Sequence, residues 1–467
     1  MEEMIYAQAS PLSIAGNSLF SSTGFDEKNV SDYYSEKKIV NKAVRKLKKA
    51  GFEVHFVAKT SISISGPKSL YEQYFGKSIH KVTKRVLGSQ NQETSVDFYE
   101  VDSESASSFL STDASPLSDV IEGIAIAESP IYFGSAYAPT KSYWHLSVPG
   151  DVSLALNADL VHRTGNTGLG IRVTMVDTGW QSHPFFTQRG YRILPTLLGP
   201  GATNAAIDPN GHGTGESANI FAAAPDITFR MVKNGVDAVG AFNIAANTNP
   251  KPHIISCSWG WSVQTPNQMT AYHQTLAAAI AAAVANGIIV VFSAGNGHFG
   301  FPGQHPLVIS AGGVYKSPTG VNTASNYSSG FLSQIYAGRR VPDVSGLVGQ
   351  LPRAAYIMLP IPDGCQIDTG SAGGTHPNGD ETTTNDGWAA FSGTSAAAPQ
   401  IAGVCALMKK KRSTLTPAQA KTILMKTAID VTTGNCNPAT GGHPATVGPD
   451  LATGRGLVNA LVAVTNT

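Results

Sequence analysis

The chain has 467 residues, and 33 Lys and Arg stand against 32 Asp and Glu, so its formal net charge is only +1. This balance argues against a protein whose main task is to bind nucleic acid or an anionic membrane, because such proteins carry a basic excess. Four cysteines, none of them in a CxxC pair, suggest neither a disulfide scaffold nor a zinc ribbon nor a redox couple.

The N-terminal residues do not show the pattern of a targeting segment. They read MEEMIYAQASPLSIAG, with acids where a signal peptide needs positive charge and without an apolar core. We therefore expect a cytoplasmic protein. The stretch closest to a membrane span, LAAAIAAAVANGIIVVF at 276–292, is interrupted by Asn-Gly, which predicts a buried helix followed by a buried strand.

Residues 37–102 show the pattern of a small α+β unit. An amphipathic helix is predicted over KKIVNKAVRKLKKA and ends at Gly51, and a second helix is predicted over PKSLYEQYFG. Alternating apolar residues in FEVHFV, SISIS and DFYEV predict strands, so the unit resembles an open-faced sandwich. Seven basic residues lie between 37 and 49 and could bind nucleic acid, but the absence of interleaved aromatic residues favours a solvated helix face.

The composition then changes twice along the chain. DSESASSFLSTDASPLSD at 102–119 is typical of an exposed linker. From about residue 157, near-continuous apolar strands such as GIRVTMVDTG, HIISCSWG and GIIVVFSAGN alternate with helical stretches, which predicts an α/β fold with a mostly parallel sheet and helices on both faces. We therefore predict an N-terminal unit over 1–102, a connecting segment over 103–149 and an α/β domain over 150–467.

Three polar residues stand where predicted elements begin or end. Asp177 ends the strand VTMVD, His212 opens a helix in NGHGTGES, and Ser395 opens another in SGTSAAAP. Each residue alone could be a turn former or a helix cap. Together they are the set that acyl transfer needs: a nucleophile, a base, and a carboxylate that orients the base.

The strings around these residues resemble those of the subtilisin-like serine peptidases, the subtilases. VDTG, GHGT and SGTSAAAP occur in the order that this family shows, and AAAPD, SCSWG, SAGN and PDVSG agree with it in sequence order. The resemblance covers residues 150–465. It implies a serine endopeptidase in which Ser395 attacks the peptide carbonyl, His212 transfers the proton and Asp177 orients the imidazole.

The resemblance also implies further site residues. Asn296 in SAGN is similar to the family's oxyanion-hole residue. The segment Ser258-Trp259-Gly260 is similar to the strand that pairs with an extended substrate, and Gly295 and Gly300 are similar to glycines beside the pocket for the residue before the cut. The expected partner is a polypeptide; no nucleic acid, membrane or catalytic cofactor is expected, and the oligomeric state is open.

Two other functions remain open from the sequence. The sedolisin peptidases share the SGTSAAAP string, but a Glu/Asp pair replaces His/Asp in them, and only Glu216, one turn after His212, points in that direction. The other possibility is a catalytically silent peptide-binding protein on the same fold. The intact set Asp177, His212 and Asn296 favours the subtilase function, with activity at neutral to alkaline pH because His212 must be unprotonated to act as a base.

The remaining expectations concern processing and metals. The N-terminal unit resembles the prodomains of these peptidases in size and element order, so a self-cleavage site is predicted between Ser103 and about Pro149. The Asp-, Thr- and Gly-rich stretch at 368–387 could bind structural calcium, although a flexible surface loop is favoured. Cys365 and Cys436 lie in predicted loops, and the sequence leaves open whether they pair.

Overall fold

A computed structural model describes residues 2–21, 26, 29–87, 93–102, 108–128, 145–352, 356–375 and 379–467. The chain forms two compact units, Met1–Lys141 and Ser142–Thr467. The elements of the first unit are β1 (Met4–Pro11), α1 (Lys37–Ala50), β2 (Glu53–Val57), β3 (Ile62–Pro67), α2 (Lys68–Phe75), β4 (Ile79–Leu87), β5 (Glu93–Val101), β6 (Phe109–Ser111) and β7 (Ile121–Ile126).

The first unit is built on an antiparallel sheet with the strand order β2-β3-β1-β7-β6, and β4 pairs with β5 in a separate hairpin. Its core contains Leu47 of α1, Ile64 of β3 and Tyr71 of α2, all fully buried. Helix α1 ends as predicted, because Gly51 takes the left-handed backbone conformation (φ 104°) that closes a helix. The predicted helices and the strands β2, β3 and β5 are therefore present.

The first unit does not end at residue 102, where the change of composition predicts its end. Strands β6 and β7 lie in the stretch predicted as a linker, and β7 pairs with β1 in the middle of the sheet. Ile121 and Ile124 are buried there. The Ser-rich composition before β7 concealed the short strands, and β1 was not predicted because it lies at the N-terminus, before the stretch in which the pattern of strands and helices was recognised. The proposed cleavage segment, 103–149, lies partly outside the described residues.

The second unit follows the predicted alternation of strands and helices. Its strands are β8 (Leu146–Ser147), β9 (Arg172–Asp177), β10 (Arg192–Leu198), β11 (Thr228–Lys233), β12 (Ile254–Cys257), β13 (Trp261–Ser262), β14 (Ile289–Ser293), β15 (Gly300–Phe301), β16 (Ile309–Lys316), β17 (Asn322–Ala324), β18 (Phe331–Leu332), β19 (Arg340–Val341), β20 (Val344–Leu347), β21 (Ile357–Pro360) and β22 (Trp388–Ala390). Its helices are α3 (Gly150–Ala155), α4 (Ala158–His162), α5 (Pro184–Thr187), α6 (His212–Ala223), α7 (Ala238–Ala246), α8 (Ala271–Ala285), α9 (Gln366–Ser371), α10 (Thr394–Lys411), α11 (Pro417–Thr427) and α12 (Ala460–Thr465).

The main sheet of this unit has the order β10-β11-β9-β12-β14-β16-β17. Strand β20 pairs with residues 311–314 of β16. All of these pairings are parallel except that of β16 with β17. Helices α6 and α10 pack on one face in a cluster that includes Met175, whereas α7 and α8 pack on the other face in a cluster that includes Val176. The predicted α/β fold is therefore confirmed.

The most apolar stretch of the sequence forms helix α8 followed by strand β14, as predicted. Helix α8 ends at Asn286, and Gly287 has a positive φ of 79°. Within the described ranges, no helix has the length and the apolar character that crossing a membrane requires.

Helices α6 and α10 approach each other closely, and a glycine makes this approach possible. A Cβ atom on Gly403 of α10 would lie 2.6 Å from the Cβ atom of Ala223 and 2.8 Å from the carbonyl oxygen of Ile220, both in α6. These distances are shorter than van der Waals contact. The spacing between the two helices is therefore set by the missing side chain at position 403.

We predict that Gly403→Ala destabilises the protein although alanine is the better helix former. Overpacking of this kind costs about 1–3 kcal/mol of the free energy of unfolding, which exceeds the gain in helix propensity of about 1 kcal/mol. Gly370→Ala in α9 is the matched control, because nothing lies within 4 Å of its added Cβ atom. Urea unfolding of both variants checks this, and equal stability of Gly403→Ala and Gly370→Ala would contradict it.

Candidate active site

The predicted functional residues meet at the carboxyl edge of the parallel sheet. Strand β9 ends at Asp177, Ser258 follows the end of β12, and Asn296 lies three residues past the end of β14. Helices α6 and α10 begin near this edge, with His212 as the first residue of α6 and Ser395 as the second residue of α10. Parallel pairing places the ends of neighbouring strands together, which is why residues far apart in sequence gather here.

Asp177 and His212 are in direct contact. The Oδ1 atom of Asp177 lies 2.7 Å from Nδ1 of His212 and also accepts a hydrogen bond from the backbone N–H of Thr178 at 2.8 Å. The Asp177 side chain is 2% exposed and that of His212 is 23% exposed. Because Nδ1 donates to the carboxylate, the neutral imidazole has its free lone pair on Nε2.

The contact changes the proton affinity of the imidazole. Burial alone would lower the pKa of His212, but the charge and the hydrogen bond of Asp177, together with the charges of nearby carboxylates, outweigh burial, so the pKa of His212 is raised above its ordinary value. Glu216 and Asp208 act in the same direction with smaller effects. The imidazolium form is thus stabilised in the folded protein, and the neutral form is reached only at higher pH.

Ser395 lies in the first turn of α10 at the same edge of the sheet, and its hydroxyl is hydrogen-bonded to another group. Its Oγ atom donates to the backbone carbonyl of Ser258 at 3.3 Å, and the Ser258 hydroxyl donates to the Ser395 carbonyl at 2.8 Å. Within the described residues, no hydrogen bond joins Ser395 to His212. The structure therefore brings Asp177 and His212 into contact as predicted, whereas Ser395 is in contact with Ser258.

Asn296 is held by the residue before Ser395. Its Oδ1 atom accepts hydrogen bonds from the backbone N–H and the hydroxyl of Thr394, both at 2.9 Å, and the Thr394 hydroxyl accepts from the N–H of Gly295 at 3.1 Å. Because Thr394 occupies Oδ1, the Nδ2 group of Asn296 is the part of the amide that can donate to a ligand. A Cβ atom on Gly393 would lie 2.8 Å from Nδ2, so glycine is required there.

Thr394 and Gly393 belong to the site but were not predicted from the sequence. Both belong to the string SGTS, so their position directly before Ser395 was a signal that could have been used. Their roles depend on contacts with Asn296, which is 98 residues away from Thr394 in sequence. Such long-range contacts cannot be read from local patterns.

The five predicted substrate-binding residues share a cleft of about 170 Å³ next to Ser395. The cleft is lined by Ser258, Trp259, Gly260, Trp261, Ser262, Ser293, Gly295, Asn296, His298, Gly300, Phe301, Thr394 and Ser395. Gly260 and Gly300 have a structural reason to be glycine, because a Cβ atom would lie 2.3 Å from the Phe301 carbonyl oxygen or 2.2 Å from that of Ala294. Trp259 is anchored in the core through its indole N–H, which donates to the Val176 carbonyl at 2.7 Å.

The acidic loop at 368–387 and the two cysteines, Cys365 and Cys436, are the remaining candidates from the sequence. Across the described ranges, no group of three or more His, Cys, Asp or Glu side chains could hold a metal ion. Asp380 uses both carboxylate oxygens inside the protein, accepting from Thr382 and from the N–H of Ala390. Residues 376–378 of the loop lie outside the described residues, and calcium binding by the stretch 368–387 stays a prediction. Cys365 and Cys436 are buried free thiols.

Comparison with known proteins gives consistent matches. A model of the Subtilase family matches residues 168–450. Alkaline elastase YaB from Bacillus sp. (strain YaB) is 26% identical over 286 residues, which cover 59% of this chain and 64% of that protein. Subtilisin E from Bacillus subtilis (strain 168) is 28% identical over 302 residues, which cover 60% of this chain and 66% of that protein. The match therefore spans slightly less than two thirds of either relative's length.

One solved structure similar to this chain is that of Sphericase. The TM-score is 0.47 with 24% sequence identity, over 63% of this chain and 92% of that chain.

We predict that Asp177→Asn lowers the pKa of His212. The substitution removes the charge that stabilises the imidazolium and leaves burial, which acts in the opposite direction. The loss of one close opposite charge corresponds to about 1–3 pH units. An NMR titration of the His212 imidazole measures this directly, and Asp226→Asn, an exposed carboxylate, serves as the control. A titration unchanged by Asp177→Asn would show that the contact does not set the pKa.

Proposed function

The chain belongs to the subtilase family, whose model matches more than half of it, and we propose that it is a serine endopeptidase with Ser395 as the nucleophile. The observation that carries the proposal is the contact between Asp177 and His212 beside Ser395 and Asn296 at one edge of the sheet. Acyl transfer needs these groups within reach of one peptide carbonyl.

In the proposed reaction His212 is the general base. The Ser395 hydroxyl turns from the Ser258 carbonyl to Nε2 of His212, gives up its proton and attacks the carbonyl carbon of the peptide bond. His212 then gives the proton to the leaving amine, and water hydrolyses the acyl-enzyme by the same steps. Because Asp177 raises the pKa of His212, the neutral base is populated only at higher pH, so activity should rise toward alkaline pH.

The oxyanion that forms during attack has two donors in this proposal. The Nδ2 group of Asn296 donates one hydrogen bond, and the backbone N–H of Ser395, in the first turn of α10, donates the other. Helix α10 has 18 residues, and the positive end of its dipole also faces the developing negative charge. The Thr394 contacts fix the Asn296 amide before the substrate binds, which is the condition for strong electrostatic stabilisation.

A polypeptide is the proposed substrate, and the chain itself is one candidate. Residues 258–260 follow strand β12 and would pair with the main chain of an extended peptide, so a broad sequence tolerance is expected. Self-processing between residues 103 and 149 would separate the two units when the cut lies after β7, because β6 and β7 belong to the first unit. The support for this step is that the boundary between the two units lies within that segment, and that the first unit resembles a prodomain.

A catalytically silent binding protein is the second candidate. The hydrogen bond of Ser395 to Ser258 rather than to His212 is the observation in its favour. A fluorophosphonate probe distinguishes the two candidates, because it reacts only with a serine that an adjacent base activates.

We predict that wild-type protein is labelled by a fluorophosphonate and digests a peptide library, whereas Ser395→Ala does neither. We also predict that Ser395→Ala keeps its full-length mass, whereas the wild type is cut between residues 103 and 149. Intact mass spectrometry reads labelling and processing from the same samples. A folded wild-type protein that is neither labelled nor active would support the binding protein instead.

We predict that Asn296→Ala lowers kcat by about 100- to 1,000-fold with little change in KM, because the lost donor acts mainly in the transition state. Steady-state kinetics on one peptide substrate measures both parameters. Asn247→Ala, at the exposed end of α7, is the matched control. A rise in KM at constant kcat would assign Asn296 to substrate binding instead.

A further inference from the structure

Helix α6 carries a second ionisable side chain, a buried carboxyl group, one turn after His212. The proposed reaction does not use it. Glu216 is in α6, one helical turn after His212, and none of its surface is exposed. Its Oε2 atom accepts a hydrogen bond from the Asn219 side chain at 2.9 Å. Its Oε1 atom is buried and has no hydrogen-bond partner within the described part of the chain.

Two more polar atoms in the same part of the protein are buried and unpartnered. They are Oδ2 of Asp177 and Oγ of Ser256, again within the described residues. Ser256 pairs in register with Met175, and side chains two residues apart in a strand share a face, so Asp177, Met175 and Ser256 lie on one face of the sheet. That is the face on which α6 packs, and Glu216 belongs to α6.

The charged and titratable groups that face Glu216 come from several elements. The charges of Asp177 in β9 and His212 in α6 both shift the pKa of Glu216. The charge of Glu216 in turn raises the pKa of Tyr327, which follows β17. Asp208, in the loop before α6, acts on His212. Burial, and then the negative charge of Asp177, raise the pKa of Glu216, although His212 and Asn219 act in the opposite direction.

A purely structural role explains this residue poorly. The contact with Asn219 needs only one hydrogen-bond acceptor, which a glutamine would supply at the same size. A carboxyl group in a fully buried place costs several kcal/mol when it is ionised, and an unpartnered buried oxygen costs about 1–3 kcal/mol. Both costs fall when the carboxyl group is protonated and its hydrogen is donated to a neighbouring acceptor.

We propose that Glu216 is a positioning residue that holds a proton for the site: its protonated carboxyl donates a hydrogen bond to the free oxygen of Asp177, directly or through one buried water. In this arrangement Asp177 is held from both sides, by His212 on Oδ1 and by Glu216 on Oδ2. The Ser256 hydroxyl is the third polar group available to such a water, which needs two to four partners. The inference rests on the proposed function, since it concerns the same catalytic pair.

The arrangement has a consequence for the pH at which the base becomes available. When Glu216 loses its proton, a second negative charge faces His212 and favours the imidazolium form. His212 and Glu216 therefore titrate together over a wide pH range rather than in one step each. Without the Glu216 charge, the imidazole should titrate in a single step at lower pH.

Glu216→Gln tests the inference, because glutamine keeps the size and a hydrogen donor but cannot ionise. We expect the acid limb of kcat/KM and the NMR titration of His212 to move to lower pH by about one unit, and the plateau of kcat/KM to stay within about threefold of the wild type. Glu216→Leu, which has no donor, should show the same shift with a plateau about tenfold lower. Glu381→Gln, the other glutamate of this unit, is exposed and is the matched control.

The two readouts separate the inference from the proposed function. If wild-type protein cleaves no peptide, the proposed function fails, and the His212 titration, measured without substrate, still decides the inference. If wild-type protein is active and Glu216→Gln leaves both titrations unchanged, the inference is overturned. A change in melting temperature without a pH shift would likewise assign Glu216 a structural role only.

Discussion

The site depends on the parallel pairing of β9 with its neighbours in the main sheet. In this pairing Val176 lies beside Cys257, so the next residue of each strand, Asp177 and Ser258, leaves the sheet at the same edge. A shift of the register by one residue would turn Asp177 to the opposite face, toward α7 and α8, and away from His212. The fully buried apolar side chains of β9, β12 and β14 oppose such a shift, because the shift would place every side chain in the wrong layer.

Two helices complete the site from one face of this sheet. Helix α6 supplies His212 and Glu216, and α10 supplies Ser395 and, through Thr394, the orientation of Asn296. His212, Ser395 and Asn296 are thus held by hydrogen bonds that run between elements rather than within them. His212 and Asn296 are each fixed by one end of the polar group, which leaves the other end free for a ligand at little cost in conformational freedom.

Much of this arrangement could be predicted from the sequence, for identifiable reasons. Strands β9, β12 and β14 are continuous apolar runs, and the motifs around Asp177, His212 and Ser395 mark the ends of elements. The central position of β1 could not be predicted, because it depends on pairing with β3 and β7, which are far away in sequence. The hydrogen bond of Ser395 to Ser258 and the role of Thr394 depend on distances between segments more than 90 residues apart, which no local pattern encodes.

The close approach of α6 and α10 at Gly403 links the fold to the chemistry in a further way. The same two helices that share this contact carry His212 and Ser395 in their first turns, so a change in helix spacing moves His212 relative to Ser395. A substitution that stabilises the protein at a distant position leaves this distance unchanged. A substitution that repacks the two helices changes the stability and the geometry of the proposed site together.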